Sequence, residues 1–137
     1  MKEVETLIPH RDPFLFVDRI VSVTPEEIVG TKLFPENNDQ FLKGSFPEFN
    51  FVPGTILIEA MAQCGGAGIK KLGLADGFYG FANIENASFY NGVPYGREFK
   101  MVIRNLKIAE RYIKQTGTAY VDGEPCLELT WTCVKFQ

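Results

Sequence analysis

Apolar and polar positions along the chain fall into runs that predict strands at both ends and one long helix between them. Phe14 to Val23, FLFVDRIVSV, is apolar and β-branched, suited to a strand or to a buried turn into one. Ile28 to Phe34, IVGTKLF, alternates as a strand does and stops at Pro35, with Asn37 and Asn38 behind it. Gly54 to Lys71 predicts a helix: Pro53 fixes the entry, Lys70 and Lys71 sit at the negative end of the dipole, and Gly73 can terminate it. Its apolar positions run nearly all the way round, so it is expected to be buried. Gly65, Gly66 and Gly68 each cost about 1 kcal/mol relative to alanine inside a helix. Such a cost makes sense if neighbouring backbone comes very close, as a sheet curled around the helix would.

The second half is less decisive. From Arg97 to Lys114 basic residues recur at 97, 100, 104, 107, 111 and 114, and apolar ones at 99, 102, 103, 106, 109 and 113, which is the period of an amphipathic helix. Yet Met101, Val102, Ile103 and Ile108 favour strand, and alternation holds through Phe99, Met101 and Ile103 before resuming, shifted, at Leu106 and Ile108. A β-bulge near Asn105 would give that shift. Periodicity leaves both readings open. Beyond it, Asp122-Gly123 separates two strand-like runs, and in the second Leu127, Leu129, Trp131 and Cys133 share a face.

Composition narrows the function classes. The 137 residues suit one domain, 1–137, and 45% apolar with 23% charged residues is ordinary globular usage. A net charge of −3 gives no reason to expect nucleic acid. Three cysteines without C-x-x-C spacing read as free thiols, so neither a disulfide frame nor a metal site is expected. The first residues, MKEVETLIPHRDPF, lack the apolar core of a signal peptide, and no run approaches the ~20 apolar residues of a membrane span. A cytoplasmic protein without membrane contact is the expectation.

Candidate chemistry concentrates in GSFPEFNFVPGTILIEAMAQ, Gly44 to Gln63, where Glu59 interrupts an apolar run. A carboxylate on the second turn of a helix either reaches an aqueous edge or is held in an apolar pocket, where a raised pKa makes it a useful acid. Gly54 lets a ligand approach free N–H groups at the helix start, which can polarise a carbonyl.

Three segments, IPHRDPFLFVDRI (Ile8 to Ile20), GSFPEFNFVPGTILIEAMAQ and AYVDGEPCLE, resemble in order and spacing the β-hydroxyacyl-(acyl-carrier-protein) dehydratases of the fatty-acid cycle. The motifs P-H-R-x-P-F-x-x-V-D-R and P-G-x-x-x-x-E-A-x-A-Q carry most of the likeness, which covers nearly the whole chain. It implies an α+β hot-dog fold, a long central helix wrapped by a curved antiparallel sheet, and two strands joined near Glu110 in the ambiguous region. It also implies a site shared between two chains, with a histidine from a G-H-F-P motif taking the α-proton. A helix carboxylate fourteen residues later handles the β-hydroxyl. The carboxylate falls on Glu59 and the carbonyl-binding glycine on Gly54, with Pro53, Gln63 and Phe46 as further substrate-binding candidates. The histidine position is Ser45, and a hydroxyl without its own base does not replace an imidazole.

His10, the chain's one histidine, matches a family histidine outside the catalytic pair, and a structural role is expected for it. Asn86 to Gly92, NASFYNG, lacks the basic residues the family commonly uses there against an acidic carrier protein, which weakens docking through that loop. The expected substrate is a carrier-protein or CoA thioester, without any cofactor. The expected assembly is a homodimer or larger, or a heterodimer with an active, histidine-bearing paralogue. Reduced activity of the homomer, a non-catalytic partner subunit and a hot-dog thioesterase remain as readings.

Overall fold

The computed structural model describes residues 2–36 and 40–136. A short helix, α1 (Glu3–Leu7), precedes strands β1 (Arg19–Val23) and β2 (Glu27–Leu33) and a single turn of helix, α2 (Gln40–Lys43). Then come the long helix α3 (Gly54–Lys71) and strands β3 (Tyr79–Phe89), β4 (Glu98–Ile108), β5 (Tyr112–Val121) and β6 (Glu124–Lys135). The strands form one antiparallel sheet in the order β1-β2-β4-β5-β6-β3, and α3 packs against β1, β2, β4 and β5. A curved antiparallel sheet around one central helix is the hot-dog arrangement.

Local sequence explains the helix well. It starts behind Pro53 and ends in a left-handed glycine: Gly73, at φ +72°, donates to the Lys70 carbonyl at 3.0 Å, and Leu74 N–H donates to Ile69 at 3.2 Å. Those two bonds satisfy last-turn carbonyls as a Schellman ending does. Within α3 only Thr55 and Lys71 are exposed, so the all-round apolar pattern corresponds to real burial. A Cβ on Gly65 would lie 2.2 Å from Gln115 Oε1 on β5, and one on Gly68 would lie 2.5 Å from the Ile28 side chain on β2. The sheet therefore does approach the helix closely at these two glycines, through side chains and not, as expected, through its backbone. Gly66 differs: a Cβ there would meet nothing within 4 Å.

The region from 97 to 114 is strand, turn and strand. Residues 109–111 make the turn, closed by Ala109 N–H on the Tyr112 carbonyl at 2.9 Å, and the β4–β5 register shifts between Asn105 and Lys107. Phe99, Met101 and Ile103 are fully buried, whereas the basic residues of the apparent helical stripe are exposed or partly exposed, four of them on β4 and β5, Arg97 just before β4 and Arg111 in the turn. The helical period arises from two alternations joined out of phase. Asp122 (φ 53°) and Gly123 (φ 80°) turn β5 into β6, as an Asp-Gly hairpin requires.

Part of the first run is not strand. Phe14 to Asp18 is irregular, and only Arg19–Val23 pairs, with Asp18 closing the junction. Its N–H donates to Thr31 O at 2.8 Å, and its Oδ2 accepts from Leu33 N–H at 2.7 Å. The stretch Asn86 to Gly92 also differs from a loop, because Asn86 to Phe89 complete β3. No described helix is long and apolar enough to cross a membrane.

Candidate functional site

Helix α3 presents Glu59 and Gln63 one turn apart, on the side facing the irregular segment 14–16. Gln63 is buried, and its amide is fully engaged there. Its Oε1 accepts from Phe16 N–H at 2.8 Å, while Nε2 donates to Phe14 O at 3.0 Å and to Glu59 Oε2 at 3.1 Å. One side chain thus ties the P-H-R-x-P-F segment to the helix and orients the carboxylate. Removing the amide would strand the Phe16 N–H, a loss of about 1–3 kcal/mol.

The same segment brings His10 to Glu59. Arg11 donates through one guanidinium nitrogen to Ile8 O (2.9 Å) and His10 O (2.7 Å), and through the other to Glu5 O (2.9 Å). These bonds cap the end of α1 and fix the turn that follows. His10 Nε2 then lies 3.6 Å from Glu59 Oε2, slightly beyond a hydrogen bond, and the ring stacks on Phe14 with centroids 6.5 Å apart. Burial lowers the His10 pKa below 6.5; the Glu59 carboxylate opposes this and Arg11 reinforces it. The ring is therefore neutral at pH 7, and the contact at that pH is dipolar rather than a full ion pair.

Both groups line a cavity of about 280 Å³ between α1, α3 and the sheet. Ile8, Ile69, Phe81 and Ile113 supply apolar wall, and Gly66, with no side chain, opens the helix side. Cys133 also reaches the cavity. Burial and the nearby Glu59 carboxylate push its thiol up to about 11, so it stands there as a neutral group and not as a nucleophile.

The remaining sequence candidates lie elsewhere in the chain. Pro53 and Gly54 form the entrance of α3, held by pairing of the preceding residues: Val52 N–H donates to Val93 O at 2.8 Å, and Phe51 bridges Pro94. A Cβ on Gly54 would lie 3.0 Å from the Phe89 ring, so the helix start faces the end of β3. Ser45 is exposed in the turn after α2, with its N–H on Leu42 O at 3.1 Å. Phe46 is 63% exposed and meets Phe49 edge-on, with centroids 6.1 Å apart. None of Ser45, Phe46, Pro53 and Gly54 lines the cavity of Glu59.

One chain therefore brings together Glu59, Gln63 and a residue expected only to be structural, His10. Nothing periodic could have signalled a contact across 49 residues; the available hint was that both residues fall within the two motifs that carry the family resemblance. Ser45 and Phe46 are exposed and Gly54 lies against Phe89, while Phe49, Phe51, Phe81, Ile84 and Phe89 are apolar residues each at least 38% exposed.

The model of a family described as a FabA-like domain matches residues 8–130. The 3-hydroxyacyl-(acyl-carrier-protein) dehydratase FabZ of Fusobacterium nucleatum is 38% identical over 133 residues, which cover 96% of this chain and 94% of that protein. FabZ of Exiguobacterium sibiricum is 36% identical over 126 residues, 90% of this chain and 89% of that protein. Among solved structures, the dehydratase heterocomplex ApeI:P from Xenorhabdus doucetiae superposes with a TM-score of 0.83 at 16% identity, covering 98% of this chain and 91% of that one. A hypothetical thioesterase protein from Streptococcus pneumoniae with coenzyme A gives 0.65 at 13% identity, covering 85% of this chain and 83% of the other. At these identities the structural likenesses establish the fold.

Proposed function

The chain belongs to the FabA-like domain family, and from that premise we propose that it serves β-hydroxyacyl-(acyl-carrier-protein) dehydration, in fatty-acid or related lipid or polyketide biosynthesis in the cytoplasm, as the acid-bearing half of a site shared between two chains. The observation that supports this most is the separation of Glu59 from Ser45. Glu59 is held by Gln63 at the wall of an apolar cavity, while Ser45 is exposed in the turn after α2 and does not line that cavity.

In this reading the acyl thioester lies with its carbonyl at the α3 entrance, where Gly54 lets the backbone N–H groups approach. Glu59 protonates the departing β-hydroxyl, and water leaves. The base that takes the α-proton comes from another chain, because a Ser45 hydroxyl has no base of its own. Losing a positioned base removes ~10²–10⁴ in rate, so the homomer is slow or silent. In a heterodimer with a histidine-bearing paralogue the two sites are unequal. One pairs Ser45 with the partner's carboxylate and is inactive; the other pairs the partner's histidine with Glu59 and is complete. The exposed apolar residues of β3 and of Phe46 to Phe51 are the surface such a partner would cover.

Incubating the purified homomer, and the same protein co-expressed with a histidine-bearing paralogue, with a β-hydroxyacyl carrier-protein thioester separates the readings by mass spectrometry. Loss of water in the mixture, well above the homomer, supports the shared site. Free acid and thiol from the homomer would identify a thioesterase and overturn it. Water loss from the homomer at the full rate of the mixture would also overturn it.

A further inference from the structure

We propose that His10 is a positioning residue for Glu59, so that the acid half of the site is a preassembled unit, His10–Glu59–Gln63, contained in one chain. The functional consequence rests on the reading of Glu59 as the acid; the assembly itself does not.

Two groups converge on a single carboxylate oxygen. Gln63 Nε2 reaches Glu59 Oε2 at 3.1 Å and His10 Nε2 reaches it at 3.6 Å. The segment that carries His10 also fixes Gln63, whose amide on α3 is anchored on Phe14 O and Phe16 N–H. The carboxyl is thereby gripped through Oε2, and among the described residues no hydrogen bond engages Oε1, the oxygen left to meet a substrate hydroxyl. With side chains 30% and 22% exposed, His10 and Glu59 stand where the cavity wall meets solvent.

The imidazole is not needed to hold its own loop. Arg11 makes the bonds that close the turn, and Gln63 ties the segment to α3. His10 Nδ1, by contrast, is buried with no hydrogen-bond partner among the described residues. The ring thus makes no hydrogen bond to its own loop, and its nearest polar neighbour is the Glu59 carboxylate, which Nε2 faces at 3.6 Å. The other titratable or charged groups around the pair are Arg11 beside the ring and Lys70, Tyr79 and Cys133 on the cavity wall. Burial lowers the His10 pKa, so at pH 7 the ring meets the Glu59 carboxyl as a neutral group and not as an imidazolium.

Because the chain has one histidine, its imidazole gives one set of resonances in a ¹³C- or ¹⁵N-labelled NMR titration of the intact protein. Glu59→Gln preserves shape and removes the charge, and it should lower the His10 midpoint, because the carboxylate that raises it is gone. Glu59→Ala should do the same, which guards against an artefact of the glutamine. An unmoved midpoint in both variants, with the fold intact by circular dichroism, would overturn the proposal. A second arm uses Ser45→His, which supplies a base within the homomer. Adding His10→Asn should lower its kcat about ten- to a hundred-fold and displace its pH profile while KM stays near its starting value. If KM rises instead and the profile stays in place, His10 only holds the loop, and the proposal is wrong. An inactive Ser45→His protein would count against the shared-site reading, while the imidazole titration would still decide the pairing of His10 with Glu59.

Discussion

Ser45 and Glu59 are the residues on which the chemistry divides, and they respond differently to the loss of a side chain. In a mixed complex with a histidine-bearing paralogue, Glu59→Ala should lower the dehydration rate by ~10²–10⁴, whereas Ser45→Ala should change it little. Equal effects of the two substitutions, measured with a carrier-protein thioester, would contradict the assignment. His10 adds a pH dependence to stability. Its folded pKa lies below the 6.5 of the unfolded chain, so protonation favours unfolding. The stability this group contributes is fully present above about pH 6.5 and is lost as pH falls through the folded value. Thermal melts should show that decline, and it should steepen in Glu59→Gln, where the opposing carboxylate is gone. The roles proposed for Glu59 and Ser45 were legible through the family resemblance, which sets the helix carboxylate fourteen residues after the position Ser45 holds. The contact between His10 and Glu59 was not, because it depends on Arg11 folding the chain back across α1.

At the scale of elements, α3 was readable end to end, since Pro53, the all-round apolar pattern and Gly73 are local signals that agree. Its glycines were readable only as a group. Gly65→Ala and Gly68→Ala put a methyl at 2.2 Å from Gln115 and 2.5 Å from Ile28, and each should lower the melting temperature. Gly66→Ala meets nothing and removes backbone freedom from the unfolded chain, so it should be neutral or stabilising by up to about 1 kcal/mol. The same loss in all three variants would remove the argument from close approach. The two strands between 97 and 114 were hidden from periodicity because a turn at 109–111 and a register shift between Asn105 and Lys107 recreate a helical spacing. β3 escaped notice for the opposite reason: as an edge strand with exposed apolar residues on it, its sequence does not alternate cleanly between core and water.

At the scale of the whole molecule, β3 is the exposed edge that matters. Natural sheets blunt free edges with charge or proline, yet Phe81, Ile84 and Phe89 stand exposed along this one. A second chain covering that edge would also bring a foreign residue towards the α3 entrance, since Phe89 lies against Gly54. Ile84→Lys should therefore shift the protein towards monomer in analytical ultracentrifugation and abolish activity of a mixed complex together with the association; a stable assembly after that change would place the interface elsewhere. The hot-dog architecture was legible from motifs that surround the central helix. The division of a site between chains is not a property one chain's periodicity can carry.

In the proposed function this chain keeps a working acid and lacks only the base. Mass-spectrometric rates of water loss from a β-hydroxyacyl carrier-protein thioester, compared among the natural protein, Ser45→His and Ser45→His with Glu59→Gln, test it most directly. Adding the histidine should raise the rate at least ~10²-fold, and removing the carboxylate should abolish that gain. A Ser45→His protein no faster than the natural one, or one whose activity survives Glu59→Gln, would contradict it.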